Sequence, residues 1–332
     1  MRSSLKWLKY LIPLIILPWL YFQVDPKQLE QLQQQPKNWW LLGVATAACA
    51  LAMIISFLRW QFIARAVGIP LDSSEAVKLG FVGQIFGMIS PGSVGGDLFK
   101  AIAIARQHKH SGPAAVASVL VDRAVGLYGL ILLSTISLVL FGDSGMTSLL
   151  KGIRNTGVVL TIVGAVGLFI AVVGGKWLDW IEYLVQRFPY VGNTLRRLVK
   201  SLRVFENRPG LVLIVLLMSF MVHLMLMCSL FMISSALYAT PPSFIAHLQV
   251  VPSAMVVGAL PIAPAGLGVQ ELALVEMFKQ VPNIDPAFSG LAIAAAYRIA
   301  TILVSLIGVV YYLKAKPEIV AEDRARLQDD VA

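Results

Sequence analysis

"ISPGSVGGDLFKAIA", residues Ile89 to Ala103, places Ser, Pro, three glycines, Asp and Lys inside a chain that otherwise reads as membrane. Unpaired backbone groups are not tolerated in hydrocarbon, so a helix breaks there only against protein or a watery cavity. The stretch is therefore either a surface loop or the working part of the molecule. What surrounds it decides which.

Hydrophobic residues make up 58% of the 332 and charged residues only 14%, with a mean hydropathy of +0.77. Soluble domains carry about 25% charge, so the composition is that of a polytopic membrane protein. A net charge of +9 does not point to nucleic acid, because the basic residues lie in short connections between apolar runs. Cys49 and Cys228 fall within apolar runs, which implies neither a disulfide framework nor a metal site. No cofactor is expected.

Six full spans are predicted near 8–24, 39–63, 114–141, 156–175, 210–238 and 287–313, since about 20 helical residues cross the hydrocarbon core. The first is read as a retained signal-anchor, with Arg2, Lys6 and Lys9 on the cytoplasmic side. Two further apolar stretches are broken in the middle. One, 76–107, contains the opening motif, and the other, 244–281, contains "PIAPAGLGVQE", Pro261 to Glu271. With the N-terminus inside, Lys27, Lys37, Lys151, Arg154 and Lys279 fall outside, Arg123 and Arg298 lie within the membrane, and every other Lys and Arg falls inside or at the inner edge. That asymmetry puts both termini in the cytoplasm of a cell inner or plasma membrane protein.

The broken segments match. Pro91 is followed by Gly95, Asp97 and, 32 positions on from Pro91, Arg123; Pro264 is followed by Gly268, Glu271 and, 34 positions on, Arg298. Each arginine lies on the long helix after its broken segment, and the two units run in opposite senses. The expected fold is all-α, with about six full helices and two broken or re-entrant segments related as an inverted repeat, an architecture of alternating-access transporters. Both arginines come out roughly 14–16 Å deep, near the midplane. A charge there needs a partner or a wet cavity. Asp97 or Asp122 is expected to pair with Arg123, and Glu271 with Arg298.

Gly95 and Gly96 open a helix with exposed N–H groups, an anion-friendly arrangement. Asp97 at the same helix start weakens that attraction, leaving Lys100 and Arg123 to hold a phosphate. Glu271 opens its own half-helix and either pairs with a cationic headgroup or titrates with a driving proton. His223, mid-membrane, is a second candidate for a proton relay, against the commoner reading of a histidine that hydrogen-bonds across helices. His108, His110 and His247 suggest nothing specific. Buried ion pairs and glycines also serve packing alone. In 176–208, Trp177, Trp180 and Tyr183 suit the membrane interface; Leu195, Leu198, Val199 and Leu202 form an apolar face and Arg196, Arg197, Lys200 and Arg203 a basic one. This reads as a cytoplasmic interfacial helix or an ordinary positive-inside loop.

"SPGSVGGDLFKA", "VDRAVGL", "PAGLGVQELAL" and the late "YRIA" resemble the flippase-like transmembrane domain of lysylphosphatidylglycerol synthases across nearly the whole chain. The resemblance implies transfer of a polar lipid between leaflets, with Pro91, Gly95, Gly96, Asp97, Lys100, Asp122, Arg123, Pro264, Gly266, Gly268, Glu271 and Arg298 along the headgroup path. One departure is Lys100, where the family pattern leads one to expect Arg after the Gly-Gly-Asp element; Lys is a point charge rather than a bidentate fork. The synthases append a soluble transferase domain, whereas only the charged residues 314–332 follow the membrane domain 1–313. The expectation is thus a non-enzymatic flippase or transporter for a polar, anionic or lipid-linked headgroup. The alternative is an accessory subunit or intramembrane enzyme of a lipid-linked glycan or lipid-modification pathway. Expected partners are anionic phospholipid or polyprenyl-phosphate-linked lipid and no nucleic acid; a partner enzyme of lipid modification and self-association are both compatible.

Overall fold

The structure, a computed structural model, describes residues 26–89, 95–107, 112–142, 146–187, 196, 199–260 and 262–329. The expected first span, 8–24, and Pro91 lie outside the described residues. Among those described there is no strand, and the molecule is a polytopic all-α membrane protein. Its helices are α1 (Pro26–Gln34), α2 (Trp39–Ala66), α3 (Ser73–Ile89), α4 (Gly95–Gln107), α5 (Gly112–Leu140), α6 (Ser148–Val173), α7 (Lys176–Val185), α8 (Pro209–Leu237), α9 (Phe244–Gly258), α10 (Val269–Phe278) and α11 (Gly290–Asp329). α2, α5, α6, α8 and the Gly290–Lys314 part of α11 are long and apolar enough to cross a membrane.

Local chemistry sets the ends. Asn38 caps α2 by accepting from the Leu41 N–H at 3.0 Å, and Ser243 caps α9 through the Ala246 N–H at 3.1 Å. Thr147 caps α6 in the same way, so that helix begins well before the expected residue 156. Lys151 and Arg154 consequently sit on its first turns instead of in a loop. α11 likewise continues past its apolar part to Asp329, through the charged segment that begins at residue 314.

α3 ends at Ile89 and α4 begins at Gly95, while α9 ends at Gly258 and α10 begins at Val269 after the Pro264–Gly266 turn. α3 and α4 pack against each other, and so do α9 and α10. At 1.5 Å per residue, each of these four helices is shorter than the roughly 30 Å hydrocarbon core. Glycines set both crossings. A Cβ on Gly96 would run into the Gly83 carbonyl, and one on Gly258 would come within 2.8 Å of the Gln270 side chain.

The packing of the bundle pairs off. α4 packs on α5 as α10 packs on α11, α2 packs on α5 as α8 packs on α11, and α3 packs on α11 as α9 packs on α5. At the centre α2 lies antiparallel to α8. Going down α2, the Asn38 N–H donates to Ala236 O at 3.0 Å, Ala45 O accepts from Ser229 Oγ at 2.8 Å, Arg59 Nη1 donates to Ser219 Oγ at 3.0 Å, and Ala66 O accepts from Arg208 Nη1 at 2.9 Å. The partner number falls as the α2 number rises. The main core, including Phe57, Leu130, Met227, Leu230, Ile233, Leu274 and Ile293, fills the space between these helices.

Candidate functional site

A cavity of about 340 Å³ opens where the two broken segments meet α2 and α8. Arg123 comes to it from α5 and Arg298 from α11. Eleven residues into α5 and eight into α11, these positions are roughly 12–17 Å from their helix starts. Polar groups from several elements surround them: Ser56, Gln84, His223, Gln270, Tyr297 and Thr301. Among the described residues lining the cavity, none is Asp or Glu.

The carboxylates stand behind the arginines. Glu271, buried at the first turn of α10, accepts from Arg298 Nε at 2.5 Å and from the Gly268 N–H at 2.7 Å. The rest of the Arg298 guanidinium donates to Ala265 O and Gln270 Oε1, each at 3.3 Å. Ala265 takes a left-handed conformation, φ 47°, followed by Gly266 at 67° and Gly268 at 79°. A left-handed alanine costs about 1–2 kcal/mol, and here it turns a carbonyl toward the guanidinium. Gly266 could not be replaced freely, since a Cβ there would come within 2.6 Å of Gly258 O. Pro264 opens the 3₁₀ turn Pro264–Gly266, which holds Ala265 and Gly266.

In the other unit Asp97, in the first turn of α4, pairs with Arg123 and lies 3.9 Å from Lys100 Nζ. The Arg123 side chain is 42% exposed against 15% for Arg298, so Arg123 is the one more open to a ligand. Lys100 is held differently from the expectation of a headgroup contact. Its ammonium lies over Trp60 at 5.1 Å and Phe57 at 5.5 Å, and the residue is not among those lining the cavity. Gly95 starts α4 and Gly96 is engaged in the α3 crossing.

Asp122, the other partner offered for Arg123, belongs instead to Arg59. Their side chains meet at 2.8 Å, with a further bond from Arg59 to Ser219 Oγ. Sequence reasoning counted Arg59 with the inner-edge charges, yet it is 4% exposed. Its position two turns before the end of α2, beside Trp60, was the available signal. Gly126 makes room for it, since a Cβ there would come within 3.0 Å of Nη2. His223 Nε2 donates to the Gly126 carbonyl at 2.9 Å, because a carbonyl only accepts. The bond ties α8 to α5, and the same residue lines the cavity.

The profile of the family described as Lysylphosphatidylglycerol synthase TM region matches residues 6–308. The chain belongs to that family. It is a membrane domain associated with lipid handling. A protein described as UPF0104 membrane protein, from Methanothermobacter thermautotrophicus, is 22% identical over 303 residues, covering 86% of this chain and 88% of the relative. No solved structure matches. Within this family chain, the segment expected to be interfacial folds back on itself. Arg196 and Lys200 reach Glu182 of α7 at 2.8 and 3.4 Å, and Arg203 pairs with Asp179. The Arg196 hydrogen bond, seconded by Lys200, holds the Glu182 carboxyl below its ordinary range. Among the described residues no cluster of His, Cys, Asp or Glu could hold a metal.

Proposed function

We propose that this family member is a non-catalytic lipid transporter that moves a polar, anionic or phosphate-linked headgroup between leaflets by alternating access. The observation that carries the reading is the cavity itself: two arginines face it, one from the long helix after each broken segment, while their carboxylates stay off its wall. Such a wall attracts anions and offers no carboxylate to a cationic headgroup. The paired packing and the antiparallel α2–α8 axis support an inverted repeat of two re-entrant units, with the cavity on the axis between them. In that arrangement a headgroup midway across the bilayer meets one arginine from each half, and rocking one half against the other exposes it to either side. Both termini face the cytoplasm in this reading, by the placement of Lys and Arg.

Reconstitution into liposomes with fluorescent lipids of different headgroup charge tests this. Arg123→Ala and Arg298→Ala are each expected to abolish transfer of an anionic lipid while folded protein is recovered. Full transfer in both variants would overturn the proposal.

A further inference from the structure

We infer that a second, separate recess, at the end of the bundle where α2 finishes and α5 and α8 begin, binds the phosphate of one lipid headgroup from the adjoining leaflet. The recess has a volume of about 420 Å³ and shares no lining residue with the midplane cavity. Lys200, Arg203 and Arg208 supply its charge, and Val67, Pro113 and Ala117 are among its apolar residues. Glu206 is the one carboxylate among the described lining residues, and it is committed to the fold. Its Oε1 accepts from the Gly175 N–H at 2.8 Å, and its other oxygen lies 3.9 Å from Arg203. The cations are positioned as well. Arg208 Nη1 is fixed on Ala66 O at 2.9 Å, while Asp179 and Glu182 hold Arg203 and Lys200 from outside the recess. Three cations thus converge on a concave wall that carries one engaged carboxylate.

Depth supplies the identity of the ligand. Three spans begin or end here, and Trp177, Trp180 and Tyr183 of the adjoining α7 are 58–60% exposed, as suits the headgroup level of a bilayer. The abundant anion at that level is lipid phosphate, toward which basic residues at a membrane surface are drawn. The apolar wall suits the glycerol and the first methylenes of the same lipid, which free phosphate lacks.

The full chain, purified in detergent, would be titrated with dioctanoyl phosphatidylglycerol and its bound lipids counted by native mass spectrometry. Lys200→Gln combined with Arg203→Gln should weaken one bound lipid by about tenfold or more, as loss of charge-assisted contacts does. Ala117→Leu fills the recess without altering any charge and should displace the same lipid. Arg298→Gln should leave that lipid in place, which separates this site from the midplane cavity. Unchanged binding in Ala117→Leu would overturn the proposal and reduce the basic residues to diffuse surface charge. Displacement of the lipid by an equal concentration of inorganic phosphate would overturn the lipid as the source.

Discussion

Arg59 lies within an apolar helix with its charge met by Asp122 at 2.8 Å and its Nη1 by Ser219 at 3.0 Å. Removing one partner of such a pair leaves the other charge buried, which costs about 3–5 kcal/mol, whereas replacing both by apolar groups of similar volume is often neutral. Arg59→Met is therefore expected to lower the thermal midpoint of the purified protein sharply, and Arg59→Met with Asp122→Leu to recover most of the loss. A single variant as stable as the parent would show that the Arg59–Asp122 contact does not hold the helices together. At the midplane site the same logic is joined to function, because Glu271 and Asp97 also orient the arginines that face the cavity.

At the level of elements, the α3–α4 hairpin depends on close backbone approach. A Cβ on Gly96 meets the Gly83 carbonyl, which is main chain on a packed helix and cannot swing away. Gly96→Ala should therefore destabilise the protein by about 1–3 kcal/mol, as overpacking does. Gly43→Ala is the matched control, since nothing lies within 4 Å of its Cβ position on α2; there the gain in helix propensity, up to about 1 kcal/mol, should dominate. Thermal unfolding of the two variants side by side checks the sign of each. Equal behaviour would mean that α3 and α4 cross less closely than their glycines indicate.

For the whole molecule, the antiparallel α2–α8 axis fixes how the halves relate. Cys49 Sγ lies 3.0 Å from Ser229 Oγ across this interface. Ser229→Cys in a Cys228→Ala background is expected to form a disulfide with Cys49 on mild oxidation, read as protection of both thiols from maleimide after denaturation. Persistent free thiols would contradict the register. The same cross-link offers a test of mechanism. If the halves slide past each other along this axis, oxidation stops lipid transfer and reduction restores it. If α2 and α8 move as one body while the hairpins rock, transfer continues in the cross-linked protein.

Much of this architecture was legible from residue order alone. The apolar runs marked the five described spans, because about 20 consecutive apolar residues have few other uses. The Pro-Gly clusters marked where α3 and α9 end, and the pairing of Glu271 with Arg298 was expected because a midplane charge needs a partner within reach; for Arg123 the sequence left Asp97 and Asp122 both open, and the fold chose Asp97. Three further things only the folded chain decided. Arg59 reads as a flanking charge until α5 brings Asp122 and Gly126 against it, a meeting of residues far apart in sequence. Lys100 reads as a headgroup contact, and only the fold sets its ammonium over the Phe57 and Trp60 rings, off the wall of the cavity. The cavity does not exist in any one segment. It forms where α2, α3, α5, α8, α10 and α11 leave space between them, and which charges face that space depends on how whole helices are rotated, which hydrophobic pattern does not specify when every face of a helix is apolar.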